Sequence, residues 1–266
     1  MDFGAALLFP FQWLVSAIMV GLHDGLSALG MPTASGWTWT LSIIGLVLVI
    51  RAALIPVSLQ QIKAQRRMRQ LQPELKKLQD KYRGKTDQLS RQAMAQEQMA
   101  LYKKHGTNPF SACLPLLIQV PFFFALFTVL SGIAPAASSG TGIGAMSHEE
   151  VVQFEESSIF GAPLSASVLH GTPGGGNVVA VWLLSIVMIL AMTAAQFITQ
   201  KHIMARTVSA EAVSGPFMRQ QKVVLYSLPL VFGAGGIFFP IGVLIYWTTT
   251  NLWTMVQQFV LDPRSP

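Results

Sequence analysis

Thirteen of the eighteen Lys and Arg residues in this chain lie between Arg51 and Lys104, flanked on both sides by stretches apolar enough to enter a bilayer. Loops rich in Lys and Arg stay on the cytosolic side, so this block sets orientation as well as class. Only 11% of the 266 residues are charged and 52% are hydrophobic; a soluble globular protein carries about 25% charged residues. The expectation is an all-α, polytopic membrane protein. The net charge of +6 comes from residues at membrane boundaries and does not point to a specific nucleic-acid sequence as a partner.

Several chemistries drop out at once. The single cysteine, Cys113, excludes an intramolecular disulfide and an all-Cys metal site, and reads as a small buried hydrophobe. Gly171-Thr172-Pro173-Gly174-Gly175-Gly176 lacks the Gly-Lys-Ser/Thr of a phosphate-binding loop. His148-Glu149-Glu150 has no second His at position 152, so it is not a zinc-protease helix. No metal, no cofactor and no catalytic residue are expected, and the protein is not read as an enzyme.

Charge alternation divides the chain. Residues 1–36 are expected to hold an external amphipathic helix on the outer surface, because Phe3–Leu22 is broken by Pro10, Gln12 and Ser16; the alternative, a sixth span at Phe3–Leu22, would put the N-terminus inside with no positive charge there, which disfavours it. Residues 37–59 form a first span, about 35 Å long at 1.5 Å per residue, with Trp37 and Trp39 at the outer interface. Residues 60–107 form a cytosolic basic hairpin, and 108–133 a second span opened by Asn108-Pro109. Residues 134–177 form an external loop with Glu149, Glu150, Glu155 and Glu156 and no Lys or Arg. A third span covers 178–200, a cytosolic loop 201–222, a fourth span 223–239, a fifth 240–261, and a cytosolic tail 262–266. Five spans with the N-terminus outside and the C-terminus in the cytoplasm satisfy every loop, and the lipid bilayer is the surrounding partner.

Within the hairpin, Met68, Leu71, Leu75, Leu78 and Tyr82 recur at helical spacing. Gly84 ends the first arm, Asp87 caps the second, and Pro73 is expected to bend or interrupt the first. Leu89, Met94, Met99 and Tyr102 mark the second arm.

Arg51 is the charge that does not fit its surroundings. Snorkelling to the headgroups is one reading. A position facing a water-filled cavity between helices is the other, since an intramembrane ionisable residue is by default a functional-site hypothesis. No Asp or Glu occurs in any of the five spans to neutralise it. Gln119, Thr193, Gln196, Thr199, Thr248, Thr249, Thr250 and Asn251 are uncharged polar candidates for the same lining. Tyr246 and Trp253 are candidate interface anchors, whereas Trp247 lies too deep for a belt.

The order of Ile50-Arg51 with Pro56, Leu71-Gln72-Pro73-Glu74-Leu75-Lys76, Asn108-Pro109 through Cys113-Leu114-Pro115-Leu116-Leu117-Ile118-Gln119-Val120-Pro121, and Pro240-Ile241-Gly242-Val243-Leu244-Ile245-Tyr246-Trp247 through Asn251-Leu252-Trp253 and Gln257-Gln258 resembles the YidC-type membrane protein insertases. The resemblance implies five helices around a hydrophilic groove, open to the cytosol and laterally to lipid and closed outside. It implies insertion of nascent membrane proteins without nucleotide hydrolysis, alone or beside the Sec translocon, with the ribosome as a further partner. Arg51 matches the family's groove arginine; Gln196 and Trp247 fall where other lining residues are expected, and Gln119 and Asn251 complete the candidate client-binding set. The segment before Trp37 matches the family's surface helix. The sequence shows neither a large domain before the first span nor an N-terminal lipobox Cys, and its tail is not a long basic extension; these departures point toward another bacterial group. The rival readings are a small anion transporter or channel using Arg51, and an assembly factor that recruits partners through the hairpin.

Overall fold

The computed structural model describes residues 3–85, 87–106, 114–169, 171–172, 175–207, 227, 230–231 and 233–261, with main chain only at 3–6, 65, 68–69, 114–118 and 203–207. The expected cap at Asn108-Pro109, Cys113, the side chains of Met68 and Pro115, most of the 201–222 loop, much of the fourth span and the tail lie outside the residues so described.

Among the described residues helix predominates, with one pair of two-residue strands. Helices α1 (Phe3–Ala28) and α2 (Gly36–Ala53) form an antiparallel pair. Ser35 caps α2, its hydroxyl accepting from the Trp37 amide at 3.3 Å. Helix α2 stops at Ala53 and a new helix, α3 (Ile55–Lys81), starts after Leu54. The cause is Pro56, which has no N–H to offer the carbonyl one turn back. The expected first span of 37–59 is therefore two helix segments meeting at Leu54, and the hairpin arm begins inside it.

The rest of α3 runs unbroken through Pro73 to Lys81, so the expected bend does not interrupt the arm. The second arm, α4 (Gln88–Lys104), starts where expected: the Asp87 carboxylate accepts from the Ser90 amide at 2.8 Å. That bond also holds the Asp87 carboxyl below its ordinary range. The two arms share a small apolar contact of Leu71, Leu75 and Tyr102 with Leu101 beside it. Leu89 and Met99 of the expected second stripe point outward.

Helix α5 (Leu114–Ser139) continues through Pro121 and Pro135, six residues beyond the expected end at Ile133. Helix α7 (Val178–Thr207) likewise outruns its expected end, and α8 runs from Ile241 to Leu261 within the expected fifth segment, 240–261. By length and composition, four helical stretches among the described residues can cross a membrane: Leu7–Ala28, Gly36–Ala53, Gln119–Ser139 and Val178–His202. Helix α8 is less apolar because Thr248 to Asn251, Gln257 and Gln258 interrupt it. The protein is an all-α, multi-pass membrane protein.

The segment 134–177, expected as an external loop, is the main departure from expectation. Its Gly, Ser and Pro content predicts irregular chain, yet it carries α6 (His148–Glu156) and a hairpin of β1 (Ser158–Ile159) and β2 (Ala162–Pro163). Ser147 and Glu150 make a reciprocal capping box at the start of α6. Phe160 and Gly161 form the two-residue hairpin turn, both with positive φ, 51° and 81°. The middle of this segment is packed: Val151, Phe154, Ala162, Leu164 and Ala166 are all at 0% exposure. Phe154 meets Trp39 edge-on at 5.3 Å. Gly36 touches the main chain at Ser158 so closely that a Cβ there would overlap the carbonyl. Main-chain bonds from Ile241 to Ala166 (2.9 Å) and from Gly242 to Leu164 (2.8 Å) fasten it to the start of α8.

Candidate groove site

Arg51 stands in the last turn of α2, half-buried, three residues before the break at Leu54. A cation is favoured at this end of a helix, where the carbonyls are unpaired. The group it meets electrostatically is the phenol of Tyr246 on α8. Tyr246 is buried and accepts a hydrogen bond from Gln119 Nε2 on α5 at 2.9 Å. Among the described residues no carboxylate lies within ion-pair distance of Arg51. The buried phenol of Tyr246 on α8 is thus bonded by an amide from α5 and acted on electrostatically by the guanidinium on α2.

Tyr246 is the residue that sequence reasoning assigned wrongly, as a candidate interface anchor. It lies only one residue from Trp247, which the same depth argument already excluded from a belt. A buried Tyr hydroxyl needs a partner, and Gln119 supplies one.

The remaining candidates divide. Trp247 stacks flat on Phe123 at 5.4 Å and 8°, and meets Phe239 edge-on at 4.8 Å. It forms an aromatic wall between α5 and α8 next to the Tyr246 cluster. Asn251 donates to the Trp247 carbonyl of its own helix at 2.9 Å, so its amide is spent locally. Thr249 and Thr199 are likewise bonded to their own helices. Gln196 is half-buried on α7, and no described hydrogen bond joins it to Arg51, Tyr246 or Gln119. Among the described contacts, Gln119 bonds Tyr246 and Arg51 acts on the same phenol, while Trp247 packs on Phe123 and Phe239. Among the described residues no cluster of His, Cys, Asp and Glu has the makings of a metal site.

At the hairpin end, Arg66 of α3 donates to the Leu261 carbonyl at the end of α8 at 3.2 Å. The base of the hairpin is thereby held beside the same helix that supplies Tyr246 and Trp247.

The family model of the 60Kd inner membrane protein matches residues 31–265, a range that takes in Arg51, Gln119, Gln196, Tyr246, Trp247 and Asn251. The chain belongs to this YidC-type family. The membrane protein insertase YidC of Streptomyces avermitilis is 42% identical over 266 residues, covering 98% of this chain and 60% of that relative. The insertase of the same name from Tropheryma whipplei is 42% identical over 270 residues, covering 100% of this chain and 86% of its own. That of Bifidobacterium longum is 34% identical over 254 residues, 94% of this chain and 73% of its own. The chain spans 60% of the length of the Streptomyces relative, so one long relative carries sequence with no counterpart in it.

Proposed function

We propose that this chain is a membrane protein insertase: it gives the polar flank of a newly made membrane protein a hydrated path partway into the bilayer. The observation that carries this reading is the Arg51, Tyr246 and Gln119 cluster, a cation with two uncharged hydrogen-bonding neighbours and no described carboxylate. A cation without a counter-charge attracts anionic groups, and the client supplies them. Hydroxyl and amide neighbours hold no client tightly, which suits a protein that must release each one sideways. The driving force is the client's own helix, which partitions into lipid at about −0.3 to −0.6 kcal/mol per Leu-like residue. No nucleotide enters the scheme.

The family membership and the names of the relatives support this activity. We extend it to a groove open toward the basic hairpin and closed on the side of α6 and the β1–β2 turn, lined by Arg51, Gln119, Tyr246 and Trp247, with Gln196 and Asn251 at its margins. The basic hairpin is the surface proposed to meet the ribosome, and the Sec translocon is a further proposed partner. The rival, a small anion transporter using Arg51, would move a labelled anion into empty liposomes without any client.

The experiment is insertion of a client with an acidic N-terminal tail into proteoliposomes, read as protease protection of the tail. Arg51→Ala is expected to lose most protection and Arg51→Lys to keep much of it. Full protection with Arg51→Ala removes the arginine from the mechanism. Photo-crosslinks from positions 51 and 247 to a ribosome-bound client are expected with the wild-type background. Anion uptake without crosslinks would favour the transporter.

A further inference from the structure

The turn between β1 and β2 carries an unusual residue for its conformation. A two-residue hairpin turn with both φ values positive favours Asn-Gly or Gly-Gly, because a larger side chain is crowded there. Gly161 meets that need at φ 81°, but Phe160 takes φ 51° with a bulky ring. A large apolar residue in this region is strained, and it persists only where its surroundings hold it. The ring is not packed into the core in exchange. Phe160 is 72% exposed, while Ile159 before it and Ala162 after the turn are buried. Among the described residues its ring meets Trp37 edge-on at 5.2 Å, and Trp37 is itself exposed. Two aromatic rings are thus presented outward together.

Both rings stand where two candidate spans begin. Trp37 is the second residue of Gly36–Ala53, and the turn is tied to the start of Val178–His202, the most apolar of the four stretches at mean hydropathy 2.5. The tie is local. The Asn177 amide donates to the Gly161 carbonyl at 3.2 Å, and the Asn177 side chain accepts from the Val179 and Ala180 amides at 3.0 and 3.2 Å. Phe160 and Asn177 share a groove of about 420 Å³ with Ala180, Leu183, Leu184 and Val187 of α7. From Asn177 to Val187 the helix advances roughly 15 Å, about half of a hydrocarbon core of about 30 Å. No charged side chain lines this groove, and Asn177 is its one polar residue.

We propose that the β1–β2 turn is a membrane anchor that dips into the adjoining leaflet and seats one phospholipid acyl chain between Phe160 and α7. The occupant follows from where the groove opens. Its wall is the first three turns of a span, so its open side faces hydrocarbon. An uncharged lining offers a chain dispersion contacts and offers a headgroup no ion pair. Trp37 and Phe160 lie at the level of the headgroups, where aromatic rings concentrate. The Phe160 ring closes one end of the groove, which gives the strained turn a purpose: Asn or Gly would suit the backbone better but leave that end without its apolar cover. Lipid thereby fastens the tip of the segment that the bundle already holds at Phe154 and Leu164. This contact is independent of the insertase reading.

The test is photo-crosslinking of the full chain in liposomes of phosphatidylcholine that carries a diazirine partway along one acyl chain, with adducts mapped by mass spectrometry. Adducts are expected on Phe160 and on α7 between Ala180 and Val187, as well as on Leu190, which is exposed farther along α7. Phe160→Asn supplies the Asn-Gly pair that this turn prefers, so Tm in detergent should hold or rise. In that variant adducts between Ala180 and Val187 should fall severalfold while those on Leu190 stay. The same chain on phosphatidylglycerol should label the groove equally well. Adducts on Leu190 with none on Phe160 or in the groove overturn the proposal, and this map of the unaltered chain decides the matter even where the variant is unstable. A groove yield unchanged in a folded Phe160→Asn protein also overturns it, as does labelling through phosphatidylglycerol alone, which would place recognition in the headgroup.

Discussion

The external segment between α5 and α7 and the hairpin of α3 and α4 are both long insertions between apolar helices, yet they are built in opposite ways. The segment between α5 and α7 buries Val151, Phe154, Ile159, Ala162, Leu164 and Ala166 against α2, α5 and α8 and is fastened by main-chain bonds. The hairpin buries Leu71, Leu75 and Tyr102 in a small cluster of its own, separate from the main core. Its arms are tied by exposed contacts such as Lys81 with Glu97 at 2.7 Å and His105 with Glu74 at 3.3 Å, and its base by Arg66. Exposed pairs of this kind add little stability. Local stability tracks buried contacts, so the segment between α5 and α7 is a lid held in place and the hairpin is an arm with fewer restraints. The groove proposed above, closed on the lid side and open on the hairpin side, relies on that asymmetry.

The largest effect should come from breaking the lid. Phe154→Ala removes a fully buried ring beside Trp39 and should cost about 3–5 kcal/mol, read as a fall in Tm of the whole protein in nanodiscs. Leu71→Ala should instead raise hydrogen exchange in the hairpin alone and leave that Tm in place. If the two variants lower Tm equally, the lid and the arm are one cooperative unit and the contrast fails.

A smaller effect belongs to the cluster between them. Tyr246→Phe leaves the Gln119 amide without its partner and should cost about 1–3 kcal/mol where nothing replaces the bond. It should also slow client insertion less than Arg51→Ala does. An effect on insertion as large as that of Arg51→Ala would move the phenol to the centre of the mechanism.

The smallest effect is electrostatic and sits in the lid. Burial pushes the Glu155 carboxyl above its ordinary range, partly offset by Ser165. A raised folded-state value means folding favours the protonated form, so this contribution is present below the ordinary carboxylate range and is lost as pH rises through the folded value. Glu155→Gln should therefore stabilise the lid slightly at neutral pH, within about 0.5 kcal/mol, and flatten its acid dependence. Unchanged Tm against pH in that variant would take Glu155 out of the lid's energetics.

Which of these parts the sequence announces depends on whether the signal is local. Helix α8 and the Asp87 cap follow from hydropathy and capping chemistry, and both stand where predicted. The break at Leu54 was equally legible, since Pro56 sits in the first span, but hydropathy alone runs straight through it. Pro73 shows the converse: a proline in a water-exposed arm leaves its freed carbonyl to solvent, and the helix continues. The lid was missed because its Gly and Pro residues serve close packing, as at Gly142 and Gly144, rather than looseness; the Ser147 to Glu150 spacing was its one local signature. In the site, Arg51 and Gln119 were legible as polar residues in apolar helices. Their meeting through Tyr246 was not, because it depends on the register between α5 and α8, which no single segment encodes.

The central claim, a hydrated path open on the hairpin side and shut on the lid side, is tested most directly at Gln119. A Gln119→Cys protein in a Cys113→Ser background, with Arg51 retained, is exposed to a membrane-impermeant thiol reagent from each side of sealed vesicles. Reaction from the hairpin side only, slowed when a ribosome-bound client is present, is the predicted result. Reaction from the lid side, or no reaction from either side with or without client, contradicts it.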